Sequence, residues 1–372
     1  MRILITGSQG QVGWELVRAL APLGEIIAVD HAHLDLADCA ALRRTVAEAG
    51  PAVVVNAAAY TAVDRAEAEE GLATQINGAA PGVLAAEASR CGAAFIHYST
   101  DYVFDGTKAT PYTEADPVAP INAYGRSKLA GERAVAAVGG SYLILRTSWV
   151  YAARGHNFPR TILRLAAERD RLTIVDDQIG APTWARWIAA ATAAILAASR
   201  GDPAGYLGER CGIYHLACGG ATSWYGFARA LLAGAGGEGR LAELAPIPTR
   251  AYPTPAARPA NSRLDCTRLG ATFHVCLPPW ETGVRLCFAD DSSLPATALR
   301  KGVHPDSCWL TTRPRSLWSL AVEATRARRS VGRGVGEGAA SGGGLRRRVL
   351  WSPSFGPARR APGPSRSPGW RI

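Results

Sequence analysis

The 372-residue chain is short of what several protein classes require. Its eight cysteines include no Cys-x-x-Cys pair and its seven histidines are scattered, so the paired-ligand spacing of a zinc site is missing. Cys39, Cys91, Cys211, Cys218, Cys266 and Cys276 are accordingly expected as buried thiols in a reducing cytoplasm. No apolar run is long enough to cross a bilayer: the longest, Trp184 to Ala198, is interrupted by Arg186, so no membrane partner is expected. The start carries no leader-like pattern, because Ile3-Leu4-Ile5 is a strand-length run passing straight into glycines. No internal repeat is visible. The apparent excess of positive charge is also absent from most of the chain. Residues 291–372 carry 15 Lys or Arg against 4 Asp or Glu, which leaves 26 basic and 27 acidic residues in 1–290. The net charge of +10 therefore belongs to the end of the chain.

Hydrophobic residues at 48% are enough for a sizeable core. Arg2 to Thr6 is a strand-like run that ends in Gly7-Ser8-Gln9-Gly10-Gln11-Val12-Gly13, and Leu16, Val17 and Leu20 then follow helical spacing. Strand, glycine turn, helix is the context in which such glycines hold a pyrophosphate. Gly7 permits the turn, Gly10 the approach of backbone to phosphate, and Gly13 close packing of helix on strand. The next apolar run ends in Asp30, about twenty residues on, where an acid accepts hydrogen bonds from a ribose and disfavours a 2′-phosphate. Arg18 and His31 are near enough in sequence to accommodate that phosphate, so NADH and NADPH both stay open. Asp35 is readable either as an adenine contact or as the N-cap of a helix from Cys39 to Ala49.

Ala52 to Asn56 reads as a buried strand, with Asn56 either near a ligand or stabilising the turn, and small residues follow it. Val63, Asp64 and Glu67 open an acidic, mainly structural segment, and Asn77 sits on a helix from Thr74 to Ser89 as a possible bridge between backbone groups. Ala93 to Thr100 is a further strand that delivers Ser99 and Thr100 to its carboxyl end, where open α/β sheets bind ligands. Tyr124 and Lys128 then lie four apart, on one face of a helix. A phenol beside an ammonium is expected to have a lowered pKa and to hand its proton to a carbonyl oxygen. Six strand candidates before residue 150 predict an α/β fold with a doubly wound, Rossmann-type parallel sheet. The expected organisation is a dinucleotide-binding domain over 1–150 and a smaller mixed substrate domain over 151–288, with some segments of the latter returning to the Rossmann core. In that second part, helices are expected over Thr161–Arg169, Pro182–Ala198 and Trp224–Leu232, and strands over Leu172–Asp176 and Gly212–Leu216. Residues 289–372, with Arg346-Arg347-Arg348 and repeated Gly, Ser and Pro, read as a disordered basic tail rather than a nucleic-acid arm.

These residues, with Arg146-Thr147-Ser148-Trp149-Val150-Tyr151, Asp177-Gln178, Gly180-Ala181-Pro182-Thr183, Tyr252 to Ala256 and Arg258 to Asp265, resemble the extended short-chain dehydrogenases/reductases. Within that superfamily they are similar to the dTDP-4-dehydrorhamnose reductase family, over about residues 1 to 287. The resemblance implies NAD(P)H-dependent reduction of a dTDP-linked 4-keto sugar. It implies Tyr124 as proton donor, Lys128 as its partner that also binds the nicotinamide ribose, and Thr100 as the hydroxyl on the sugar carbonyl. Gly10, Gln11, Val12, Asp30, Asp35 and Leu36 would line the cofactor, as would Ala58, Ala59, Tyr60, Thr61 and Tyr98. Thr100, Asp101, Tyr102 and Trp149 would face the dTDP-sugar. Some members dimerise through Mg²⁺ on a Glu equivalent to Glu15, but Arg186 stands here where the second acid would be, so a monomer or homodimer without metal is expected. An epimerase or dehydratase on the same scaffold is the alternative within enzymes, against which Tyr102 stands where an eliminating enzyme places Glu. A non-catalytic nucleotide-binding regulatory subunit is the alternative outside them.

Overall fold

In a computed structural model of the protein, residues 1–234 and 242–288 are described. The expectations for residues 289–372 lie outside them. The chain runs β1 (Arg2–Thr6), α1 (Gln11–Leu20), β2 (Glu25–Val29), α2 (Cys39–Ala49), β3 (Val53–Asn56), α3 (Val63–Ala66), α4 (Glu70–Thr74) and α5 (Ala80–Arg90). It continues through β4 (Ala94–Thr100), α6 (Ala123–Val138), β5 (Tyr142–Thr147), β6 (Val150–Tyr151), α7 (Phe158–Glu168), β7 (Arg171–Val175), β8 (Ile179–Gly180) and β9 (Thr183–Trp184). Then come α8 (Ala185–Ala198), α9 (Pro203–Gly208), β10 (Gly212–His215), β11 (Thr222–Ser223), α10 (Trp224–Gly234), β12 (Glu243–Ile247), α11 (Thr267–Phe273) and α12 (Trp280–Cys287).

Six strands form one sheet in the order β10-β5-β4-β3-β1-β2, with every neighbouring pair parallel. The sequence expectation of six strands before residue 150 is corrected: five precede it, and the sixth, β10, arrives more than sixty residues later. Because side chains alternate along a strand, Ile3 and Ile5 enter one core with Leu16, Leu20, Ile188 and Ile195 of α1 and α8, while Leu4 enters another with Leu42, Leu84 and Val135 of α2, α5 and α6. Burial on both faces is why Val53–Val55 of β3 and Ala94–Ile96 of β4 are apolar runs without polar alternation. The later elements form three two-stranded pieces, β12 with β7, β8 with β11, and β6 with β9. Among these, the helix expected from Pro182 begins only at Ala185, because Thr183 and Trp184 pair with Val150 and Tyr151.

Local chemistry sets the helix starts. Asp38, not Asp35, caps α2 by accepting from the amides of Ala40 and Ala41, while Asp35 accepts from Ala37 in its own turn. Asn122 caps α6 through the Gly125 amide. The helix expected from Thr74 is longer and interrupted: a π-turn over Gln75–Ala79 joins α4 to α5. There Asn77 bridges both backbone polar groups of Tyr60 and bonds Ser127 Oγ, locking α6 against the loop after β3. The acidic segment is structural: Glu67 accepts from the Ala123 amide, and Asp64 accepts from the Ala256 amide and pairs with Arg258. Of the thiols expected to be buried, Cys218 is, Cys39 and Cys266 are half-buried, and Cys91, Cys211 and Cys276 are exposed; Cys91, for one, sits at the C-terminal end of α5, where the chain turns back through the surface.

Candidate active site

A cleft of approximately 1020 Å³ opens at the carboxyl ends of β1, β3 and β4. Its floor is backbone. Gly7 turns at φ +70°, and a side chain there would meet the Ala58 backbone at 2.7 Å. A Cβ on Gly13 would lie 2.0 Å from the Gly7 carbonyl, so helix α1 can press its N-terminus to the turn only if residue 13 is glycine. Gly7, Gly10, Gln11 and Val12 line this end with Ala58, Ala59, Tyr60 and Thr61 opposite. The free amides and dipole of the α1 N-terminus face the same space, so these residues fit a dinucleotide pyrophosphate. Asn56 acts as a latch beneath it: its Oδ1 accepts from Thr6 Oγ1 at 2.6 Å and from the Ala58 amide, and its Nδ2 lies 3.1 Å from His97 Nδ1.

Asp30, Asp35 and Leu36 line the adjoining end, together with His31. Asp30 accepts from the Ala32 amide and lies 2.6 Å from His33 Nδ1, and that His33 hydrogen bond holds its carboxyl below the ordinary range. Arg18 is not among the lining residues. Its guanidinium stacks over Trp14 at 3.5 Å and bonds the Trp14 carbonyl.

Tyr124 and Lys128 project from one face of α6 into the middle of the cleft, joined by Tyr98, Thr100, Asp101 and Tyr102 from β4 and the turn after it. Lys128 is 2% exposed; its Nζ donates to the Tyr98 carbonyl at 2.6 Å and lies 3.3 Å from His97 Nε2. Burial lowers its pKa to about 8 against an opposing pull from Glu132. His97 is held neutral well below its usual value by burial and by the Lys128 charge. The expected lowering of the Tyr124 pKa is corrected. Burial and then the Asp101 charge push the phenol up to about 12, although a hydrogen bond with Thr100 opposes them. Desolvation dominates, and the hydrogen bonds of the Lys128 ammonium run to Tyr98 and His97. Burial also raises Asp101 to about 7, with Ser262 and Thr100 opposing.

The two hydroxyls at the end of β4 are separated in role. Ser99 donates to Glu132 Oε1 at 2.5 Å, and Glu132 forms a buried bidentate pair with Arg146, so Ser99 is tied into the core. Thr100 Oγ1 faces Tyr124 and bonds Asp101. Tyr102 packs edge-on against Tyr124 at 5.7 Å. Trp149 lines the far wall, stacked on Trp224. Sequence reasoning passed over Trp224, Gly155 and His156, which also line the cleft. Trp224 sits in an apolar helical pattern that reads as core, and nothing local to 152–157 announces that Asn157 binds the Gln11 side chain at 2.9 Å. Glu15 accepts from Arg186 Nε at 3.1 Å, a carboxylate already committed to a cation of the chain, and no cluster of three metal-ligating side chains gathers among the described residues. The residues do not fit a bridging Mg²⁺.

Residues 1–293 match the family model described as the RmlD substrate binding domain. The dTDP-4-dehydrorhamnose reductase of Burkholderia thailandensis is 54% identical over 296 residues, covering 78% of this chain and 99% of that protein. The crystal structure of the dTDP-4-dehydrorhamnose reductase of Bacillus anthracis in complex with NADP is 34% identical, with a TM-score of 0.70 over 77% of this chain and 98% of that one. The dTDP-4-dehydrorhamnose reductase of Clostridium acetobutylicum gives the same TM-score at 36% identity, covering 77% and 98%. With a family model matched over residues 1–293 and a relative 54% identical along 99% of its own length, the chain belongs to the dTDP-4-dehydrorhamnose reductase family of oxidoreductases.

Proposed function

We propose that this protein reduces the 4-keto group of dTDP-4-dehydro-L-rhamnose to give dTDP-L-rhamnose, using NADPH or NADH. The observation that carries the reading is the meeting of Tyr124, Thr100 and Lys128 at the centre of a cleft whose one end is a glycine cradle and whose other is an aromatic wall. Gly7, Gly10, Gln11 and Val12 hold the pyrophosphate with Gly13 keeping the helix close, Asp30, Asp35 and Leu36 flank the adenosine, and Ala58, Ala59, Tyr60, Thr61 and Tyr98 complete the cofactor's bed. When bound, the reduced nicotinamide supplies a hydride to C4 of the sugar. Thr100 turns its hydroxyl proton from Asp101 to the carbonyl oxygen, and Tyr124 gives that oxygen its proton as the carbonyl π bond breaks. A phenol pushed up to about 12 stays protonated at neutral pH, which is the form a donor requires. Lys128, anchored on the Tyr98 carbonyl, stabilises the phenolate left behind until solvent reprotonates it. Asp101, Tyr102 and Trp149 border the sugar nucleotide. Elimination chemistry is disfavoured because Tyr102, at the edge of Tyr124, brings no carboxylate there.

The test is NAD(P)H oxidation with the 4-keto-L-sugar nucleotide. Tyr124→Phe is expected to lower kcat by about 10²–10⁴-fold with cofactor affinity unchanged. If wild type and variant are equally inert while both bind the cofactor, a nucleotide-sensing role replaces the reductase.

A further inference from the structure

Trp149 adopts φ +48°, a left-handed backbone conformation that a bulky side chain rarely takes unless its surroundings impose it. The surroundings come from three separate segments. The Thr183 amide donates to the Trp149 carbonyl at 3.1 Å. Gly180 presses on the indole, where an added Cβ would lie 2.4 Å from Cε2. The Trp224 indole stacks on that of Trp149 with ring centroids 3.6 Å apart and planes 8° from parallel.

Trp224 is itself oriented by a directional chain of hydrogen bonds. The Asp177 carboxylate accepts from both the amide and the hydroxyl of Thr249, at 2.8 Å and 2.5 Å. With its proton committed, Thr249 Oγ1 accepts from Gln178 Nε2 at 3.0 Å, which fixes the amide so that its Oε1 accepts from Trp224 Nε1 at 3.2 Å. The Asp177-Gln178 pair and Gly180 thus have one shared target, the aromatic wall of the cleft.

We propose that Trp224 is a positioning residue for Trp149, and that Asp177, Thr249 and Gln178 set its orientation, so that the stacked pair determines affinity for the sugar nucleotide rather than the rate of the chemical step. This rests on the reading that Trp149 borders the dTDP-sugar. Stacking supplies a rigid flat surface, and one hydrogen-bonded indole edge stops the pair from rotating together.

The experiment compares the full-length wild type with Trp224→Leu, Trp224→Phe, Gln178→Leu and Gly180→Ala. Calorimetry measures binding of dTDP-L-rhamnose, fluorescence measures NADPH affinity, steady-state rates give kcat and KM separately, and far-UV circular dichroism reads the exciton signal of the stacked indoles. Trp224→Leu and Gly180→Ala are expected to raise both the dTDP-L-rhamnose Kd and the sugar-nucleotide KM by about tenfold, with kcat and NADPH affinity little changed. Trp224→Phe, which keeps a flat ring, recovers part of the loss. Gln178→Leu weakens the exciton signal while leaving both indoles in place. Unchanged Kd and KM in Trp224→Leu, or a collapse of kcat at unchanged KM, overturns the proposal. If Trp224→Leu fails to fold, Trp224→Phe and Gln178→Leu decide by the same two readouts. Wild type that does not bind dTDP-L-rhamnose overturns the substrate reading itself, whereas equal binding by wild type and variants sinks the positioning role alone.

Discussion

One wall of the cleft, from Gly7 to Gly13 and across to Ala58, is shaped by backbone, whereas the wall bearing Trp149 and Trp224 is shaped by side chains from segments far apart in sequence. The first needs residues with little or no side chain, and the close backbone contacts that shape it act within a few positions or between adjacent strands. The second depends on hydrogen bonds that span 46 and 71 residues. A backbone cradle suits a ligand of fixed phosphate geometry, and an adjustable side-chain wall suits the part of a substrate that distinguishes one sugar nucleotide from another.

Breaking the first wall alone gives the largest effect. Gly13→Ala puts a methyl 2.0 Å from the Gly7 carbonyl, and dinucleotide Kd is expected to rise by about a hundredfold, because helix α1 must back away from the turn. Calorimetry with dTDP-L-rhamnose on the same variant should show nearly wild-type binding; equal losses for both ligands would mean that the walls are not separable.

The point where the walls meet is probed by pH. With the Lys128 pKa lowered to about 8, kcat/KM is expected to fall about tenfold per pH unit on the alkaline side of that value as the ammonium is lost. Stability moves the other way. Between 8 and the ordinary 10.5 the unfolded chain binds the extra proton, so unfolding free energy rises with pH through that window. Urea titrations across the range check this, and Lys128→Met should flatten the rise.

The smallest effect sharpens the contrast by showing that proximity alone confers little. Arg126 lies on α6 between Tyr124 and Lys128 and pairs with Glu70 at 2.7 Å, with both side chains 45% exposed. Arg126→Ala should cost about 0.5 kcal/mol or less in urea unfolding and leave turnover unchanged, because solvent screens the pair.

The same contrast explains what could be read without coordinates. The glycine turn, Asp30 and the Tyr124–Lys128 spacing are local signals, and all of them line or support one cleft. The preference for Thr100 over Ser99 has a physical basis in the core, where Glu132 and Arg146 occupy Ser99. Trp224 stayed hidden because an apolar helical pattern does not reveal which aromatic reaches a cavity edge. The direction of the Tyr124 shift was missed because spacing reports a neighbouring charge but not desolvation. The expected strand at Gly212–Leu216 forms as β10, but its place as the sixth strand of the main sheet, beside β5, is a pairing across a gap in sequence that no local pattern bridges.

That late strand has a consequence for synthesis. Until residues 212–215 leave the ribosome, β5 is the outer edge of the sheet, an apolar strand with unpaired amides and carbonyls. β10 caps that edge, and its His215 is then fully buried while its amide donates to Glu114. A nascent chain stalled after β5, or a fragment cut near residue 150, would present a sticky parallel edge to its neighbours. The edge left open by β5 is thus covered by a four-residue segment that carries none of the proposed catalytic groups.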